Sequence, residues 1–221
     1  MRVTVVDYGR SNLLSVCRAL AALGAQPQLA QTPEQVRRAG ALVLPGVGAF
    51  ADGMAALCES GLAAPLVEKA RAGTPLLGIC LGMQMLFEES SEGGAHAGLG
   101  LVPGRVQRLP AQALDGAPHP VPNIGWCALQ PAGGRKDFSG TPLAGIGPGA
   151  QCYFVHSYEA KPAQAACRLA DISYGGRPVC AAVQSGRVLG CQFHPEKSAR
   201  AGLAVLQGFL RMAQQAGGAT G

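Results

Sequence analysis

Charge is scarce in this sequence: only 14% of its 221 residues are Asp, Glu, Lys or Arg. The 18 basic side chains exceed the 13 acidic ones, for a formal charge of +5, and they are scattered. Arg37-Arg38 and Arg135-Lys136 are the adjacent basic pairs, and no basic stripe is interleaved with aromatics. That pattern argues against nucleic acid as a partner and suits a small anionic molecule or an acidic protein surface. Aromatics are few at 5%, with one tryptophan, which disfavours an aromatic-lined binding surface. Apolar runs fall short of the roughly 20 residues a membrane span needs, so no membrane association is expected. The eight cysteines include no CxxC pair, and Met1-Arg2 runs straight into a strand-like stretch with no signal-peptide pattern. Reduced thiols in the cytoplasm are the expectation.

What the chain does have is apolar content, at 48%, and 32 glycines. This is enough to bury one sizeable core, and the length suits one α/β domain. Val3-Thr4-Val5-Val6 reads as a strand buried on both faces. Leu13, Val16, Cys17, Leu20 and Leu23 recur at helical spacing, with Gly24 placed to stop the helix. Thr32-Pro33-Glu34 offers an N-cap, a proline at the first helical position and an acidic first turn. Residues 41–44 and 75–79 read as further buried strands, 54–58 and 65–71 as helical, and 81–89 as a helix. Strands alternating with helices predict parallel βαβ units.

Residues 98–183 differ: short apolar runs are broken by Gly and Pro, which predicts additional, largely antiparallel strands. Residues 188–193 read as one more strand, and Leu203, Leu206, Phe209, Leu210 and Met212 mark a final helix. The expected fold class is therefore α/β: one domain over residues 1–214, a largely parallel central sheet flanked by helices, and antiparallel additions in the second half. Residues 215–221 are expected to form a frayed tail.

Gly78-Ile79-Cys80-Leu81-Gly82 lies where a strand passes into a helix. A nucleophile on such a sharp turn stands above the C-terminal edge of the sheet, where open α/β sheets bind ligands. Flanking glycines allow the tight turn and a close substrate. The helix that follows points N–H groups at the sulfur, favouring thiolate, and the Leu81 N–H can donate to an oxyanion. The other seven cysteines read as small apolar core residues. A nucleophilic cysteine needs a base, and histidine oriented by a third group is the usual one. The chain has four histidines. His96 and His119 lie in Gly-, Ala- or Pro-rich loops and read as solvated, and His156 follows the strand-like Tyr153-Phe154-Val155. His194 ends a strand and is followed by Pro195-Glu196, so a carboxylate two residues on can fold back onto the ring. From spacing alone, a surface His–Glu pair fits as well.

With Cys80 in GICLGMQ and His194 in QFHPEKS, the chain resembles class I (triad) glutamine amidotransferases. More narrowly, it is similar to the amidotransferase subunits of imidazole glycerol phosphate synthase. The narrower likeness rests on DYGRSNLLSV (7–16), LPGVGAF (44–50), NIGW (123–126), YFVHSY (153–158) and GCQFHPEKS (190–198). The resemblance implies a triad of Cys80, His194 and Glu196, with backbone N–H groups of Gly48 and Leu81 forming the oxyanion hole. It implies that Gln84, Glu92, Ser157 and Tyr158 hold glutamine, and that Asn12, Asn123, Trp126 and Lys197 face the synthase. The implied partner is a (β/α)8-barrel cyclase on another chain, and no metal or redox cofactor is implied. Ser11, Asn123 and Cys127 depart from the family pattern in stretches that face the synthase. A paralogous subunit feeding another synthase is the alternative they raise.

Overall fold

The computed structural model describes residues 1–217. Its first half alternates strand and helix: β1 (Arg2–Val6), α1 (Leu13–Ala22), β2 (Gln26–Ala30), α2 (Pro33–Arg37) and β3 (Leu42–Gly46). Helices α3 (Phe50–Glu59) and α4 (Ala63–Arg71) follow, then β4 (Leu76–Cys80) and the short α5 (Leu81–Met85). Thr32 caps α2 as expected, its side chain accepting from the Gln35 N–H, while the Gln35 side chain reaches back to the Thr32 N–H. Every residue of β3 and β4 is buried, as parallel strands covered on both faces must be. Val43, Leu77 and Ile79 pack on one face of the sheet with Leu206 and Phe209, and Leu42, Leu44 and Leu76 on the other with Phe50 and Leu66.

Two elements differ from the sequence reading. β2 reads QPQLA, too polar to register as a strand; it lies at the sheet edge, where one flank needs no apolar cover. The helix expected over 81–89 stops at Met85, and β5 (Phe87–Ser90) replaces its end. The reason lies in the backbone: Leu99, Leu101 and Gly100 donate to the carbonyls of Met85, Leu86 and Phe87, which a longer helix would have used.

The second half supplies β6 (His96–Ala97), β7 (Val102–Arg108), β8 (Asn123–Ala128), β9 (Gln130–Pro131), β10 (Gln151–His156) and β11 (Tyr158–Pro162). It ends with β12 (Arg168–Tyr174), β13 (Arg177–Ser185), β14 (Val188–Cys191) and α6 (Ala199–Gly217). The main sheet has eight strands in the order β2-β1-β3-β4-β14-β13-β12-β9, parallel from β2 to β14 and antiparallel beyond. A four-stranded sheet, β11-β7-β5-β6, and a separate antiparallel ribbon of β8 and β10 complete it. Residues 215–217, expected to fray, belong to α6, and residues 218–221 lie outside the described residues.

The pairing that matters for the site is β14 beside β4, in parallel, with Gly190 opposite Gly78 and Cys191 opposite Ile79. Both strands therefore deliver the chain to the same sheet edge, one to Cys80 and the other to His194.

Candidate active site

Cys80 sits at φ 53°, ψ −111° between β4 and α5, a backbone conformation that non-glycine residues rarely adopt. Such strain costs about 1–3 kcal/mol and survives where the surroundings enforce it. Enforcement comes from the flanking glycines, through packing more than through the turn itself. A methyl group on Gly78 would come 2.7 Å from the Gly82 carbonyl oxygen, and one on Gly82 would run into the Leu44 carbonyl oxygen. The bare Cα atoms let α5 lie directly on β3 and β4. Tyr8 braces the neighbouring loop, its buried hydroxyl donating to the Pro45 carbonyl at 3.0 Å. Burial, and then the nearby Cys80, push the Tyr8 phenol well above its usual range, so it stays a donor. The α5 helix spans five residues, too short for the dipole support of the sulfur that a long helix would give.

His194 follows β14 and is buried. Its backbone is tied down on both sides: its N–H donates to the Tyr153 carbonyl at 3.0 Å, and its carbonyl accepts from the Ser198 hydroxyl at 2.6 Å. Ring Nδ1 and Glu196 Oε1 are 2.8 Å apart, and that carboxylate is 1% exposed. Burial opposes charge on this ring, but Cys80 and Glu196 outweigh it and push His194 up to about 9. The proton therefore sits on the ring at neutral pH. Nε2 points at the site without a hydrogen-bond partner, and Cys80 Sγ stands close by, outside hydrogen-bond geometry with it.

Cys80 and His194 line one cavity of about 290 Å³, together with Gly48 and Leu81. Gln84, Glu92, Ser157 and Tyr158 line the same cavity. Gly48 has φ +100°, a conformation only glycine takes readily. Glu92 is fixed by the Phe50 N–H, which donates to its Oε2 at 2.8 Å. Gln84 is buried, and its amide nitrogen donates to the Tyr158 carbonyl at 3.3 Å and to Gln192 Oε1 at 2.9 Å.

The residues expected to face a synthase divide. Trp126 is 53% exposed and Ile124 62%, both on the outer side of the β8–β10 ribbon, and Lys197 is exposed on the turn after His194. Asn12 is half-buried and lines a small cavity that Glu196 also borders. Asn123 is the correction. It is 2% exposed, because strand alternation turns it inward while Ile124 and Trp126 turn outward. Its amide nitrogen lies 3.1 Å from His156 Nε2.

That contact exposes a residue the sequence reading left unassigned. His156 is buried in the cavity wall, with Nδ1 2.7 Å from the Tyr158 carbonyl. A carbonyl only accepts, so Nδ1 carries the hydrogen and Nε2 accepts from Asn123. Burial first, with the charge of His194 adding to it against the pull of the Tyr158 carbonyl, lowers His156 to about 4. Gln192, fully buried, was also unassigned; its Nε2 lies 3.7 Å from Cys80 Sγ. His96 and His119, read as solvated, are each half-buried, and His119 packs edge-on against Tyr174 at 4.7 Å. Of the cysteines read as core, Cys58 is exposed, Cys17 and Cys127 are half-buried, and all eight are free thiols. Among the described residues, no three His, Cys, Asp or Glu side chains converge as a metal site, and no single helix is long and apolar enough to cross a membrane.

The family model for class I glutamine amidotransferases matches residues 4–212. The imidazole glycerol phosphate synthase subunit HisH 1 of Legionella pneumophila (strain Lens) is 45% identical over 210 residues, covering 95% of this chain and 99% of that one. The HisH subunit of Moorella thermoacetica is 44% identical over 217 residues, covering 98% of each. Among solved structures, PurLQS from Thermotoga maritima superposes with a TM-score of 0.72 at 20% identity, over 95% of this chain and 97% of that one. The glutaminase domain of Trypanosoma brucei CTPS gives 0.65 at 18% identity, over 97% of this chain and 94% of that one. Those two likenesses speak for the fold. The family model and the sequence relatives go further: this chain belongs to the class I glutamine amidotransferases.

Proposed function

We propose that this chain is the glutaminase subunit of imidazole glycerol phosphate synthase, releasing ammonia from glutamine for a cyclase on a second chain. The observation that carries the reading is the strained Cys80 elbow sharing one cavity with the buried His194–Glu196 pair. In this reading His194 Nε2 holds the proton of the Cys80 thiol while sulfur attacks the glutamine carboxamide carbon. The Gly48 and Leu81 N–H groups hold the tetrahedral oxyanion. The imidazolium gives its proton to the departing nitrogen, leaving a γ-glutamyl thioester. Water, deprotonated by the same ring, then releases glutamate and restores the thiol. Glu196 keeps the ring oriented and stabilises its charge.

The relatives named as imidazole glycerol phosphate synthase subunits support the pathway. The exposed Ile124 and Trp126 offer an apolar surface for a (β/α)8-barrel partner, and in this reading Asn12 and Lys197 face the same partner. Free thiols throughout fit the cytoplasm. The test is glutamine hydrolysis by the chain alone, with the cyclase, and with the cyclase plus its ribotide ligand. Stimulation in that order is expected, and Trp126→Ala should weaken the stimulation more than any basal rate. No hydrolysis in any state would overturn the reading. The inward Asn123 and the departures at Ser11 and Cys127 favour a second reading, a paralogue serving another synthase. Stimulation by that synthase but not by the cyclase would establish it.

A further inference from the structure

Two glutamines form a buried chain that ends on the nucleophile. The Tyr158 carbonyl only accepts, so Gln84 must turn its amide nitrogen toward it, at 3.3 Å. The same nitrogen meets Gln192 at 2.9 Å, so Gln192 must present its oxygen there. This leaves the Gln192 nitrogen pointing the other way, 3.7 Å from Cys80 Sγ. The orientation of Gln192 thus follows from a backbone carbonyl two links away. The path is buried: Gln192 is 0% exposed, and Gln84, at the cavity wall, 5%.

On its other side the sulfur faces the Val155 carbonyl, 3.9 Å away, an acceptor that suits a thiol S–H and repels a thiolate. The His194 ring beside it favours the thiolate and the buried Tyr8 phenol stays neutral, while α5, only five residues long, adds little dipole support. We propose that Gln192 is a catalytic residue, donating an N–H to the Cys80 sulfur and stabilising its thiolate, with Gln84 as the positioning residue that fixes which end of Gln192 faces sulfur. Hydrogen bonds to charged groups are worth more than neutral ones, and burial raises their value further. An interior amide on a thiolate therefore has a large effect for a single side chain. Its contribution to turnover rests on the glutaminase reading, but its effect on the sulfur does not.

The full-length protein is treated with iodoacetamide across a range of pH, and Cys80 modification is followed by peptide mass spectrometry. The exposed Cys58 in the same digest is the internal control. Gln192→Met keeps the side-chain length and removes the donor. Its Cys80 alkylation profile should shift to higher pH by about one pH unit, or about tenfold slower alkylation below the wild-type inflection. The two rates should converge at high pH, where a purely structural defect would still separate them. Gln192→Glu, an acceptor of the same shape, should shift the profile further. Gln84→Met, which frees Gln192 to rotate, should shift it less, and decides the matter if neither Gln192 variant folds. An unmoved inflection in a folded Gln192 variant, or in Gln84→Met where those fail, overturns the proposal. Shifted profiles in a protein that hydrolyses no glutamine would leave this proposal standing and remove the glutaminase reading instead.

Discussion

Two buried histidines flank the cavity, at the exits of β14 and β10, and the chain charges one and keeps the other neutral. His194 meets the Cys80 sulfur on one side and the Glu196 carboxylate on the other, which outweigh its burial and hold it protonated to about 9. His156 meets a backbone carbonyl and the Asn123 amide, and is held neutral down to about 4. Burial pushes both rings toward neutrality, so burial does not decide between them. The partner does. A carboxylate stabilises imidazolium, whereas an acceptor at Nδ1 with a donor at Nε2 fits only the neutral tautomer. One ring can exchange a proton in a catalytic cycle, and the other is locked as scaffold beneath Ser157 and Tyr158.

Breaking the first environment should have the largest effect. His194→Ala is expected to lower glutamine turnover by about 10⁴, near the top of the general acid–base range. Glu196→Gln keeps the shape and removes the charge; turnover should fall by about 10², less than for the lost ring. A steady-state glutaminase assay measures both, and a Glu196→Gln rate within twofold of wild type would mean the carboxylate is irrelevant to the ring. Asn123→Asp tests the comparison from the other side by giving His156 a carboxylate of its own. The ring should then hold its proton at neutral pH, visible as a downfield-shifted imidazole Cε1–H in an NMR titration. Turnover should drop about tenfold as two charged rings face each other.

The pH dependence of stability separates the two rings without kinetics. For His156 the folded value, about 4, lies below the free value of 6.5, so between these pH values the unfolded chain binds the extra proton. Its contribution is present above pH 6.5 and lost as pH falls toward 4. For His194 the folded value, about 9, lies above 6.5, so its contribution is present below pH 6.5 and lost as pH rises through 9. Melting temperature should therefore decline on both sides of neutrality. His194→Ala should flatten the alkaline limb, and Asn123→Asp the acid one. The smallest effect concerns the turn after His194, where Ala199 sits at φ 46°. Ala199→Gly relieves about 1 kcal/mol of strain, and the added freedom of the unfolded chain cancels about half of it. A gain of roughly 0.5 kcal/mol in a urea titration is expected.

The sequence made one half of this contrast visible. Cys80 between two glycines at a strand-to-helix switch, and His194 two residues before Glu196, are local patterns, and the fold keeps them local. His156 and Gln192 carry no such signal. Each is a polar residue at the buried end of a strand, and its meaning comes from partners far away in the chain: Asn123 for one, Gln84 and Cys80 for the other. Asn123 shows the same limit from the other direction. Its motif suggests a surface role, and only the strand's alternation, once the register with β10 is known, turns it inward. The polar edge strand β2 and the truncated α5 failed for a related reason, since tertiary hydrogen bonds outweighed local composition.

The parallel pairing of β14 with β4 also sets when activity can arise during synthesis. Cys80 leaves the ribosome early, on a strand whose neighbour β3 is already made. The slot on its other side stays empty until β14 arrives. At about 5–20 residues per second, the nucleophile waits on the order of ten seconds for its base. A nascent or truncated chain lacking β14 therefore carries an unpaired thiol and cannot hydrolyse glutamine. Catalytic competence comes only once β14 and the turn that carries His194 are made, so copies stopped before β14 release no ammonia.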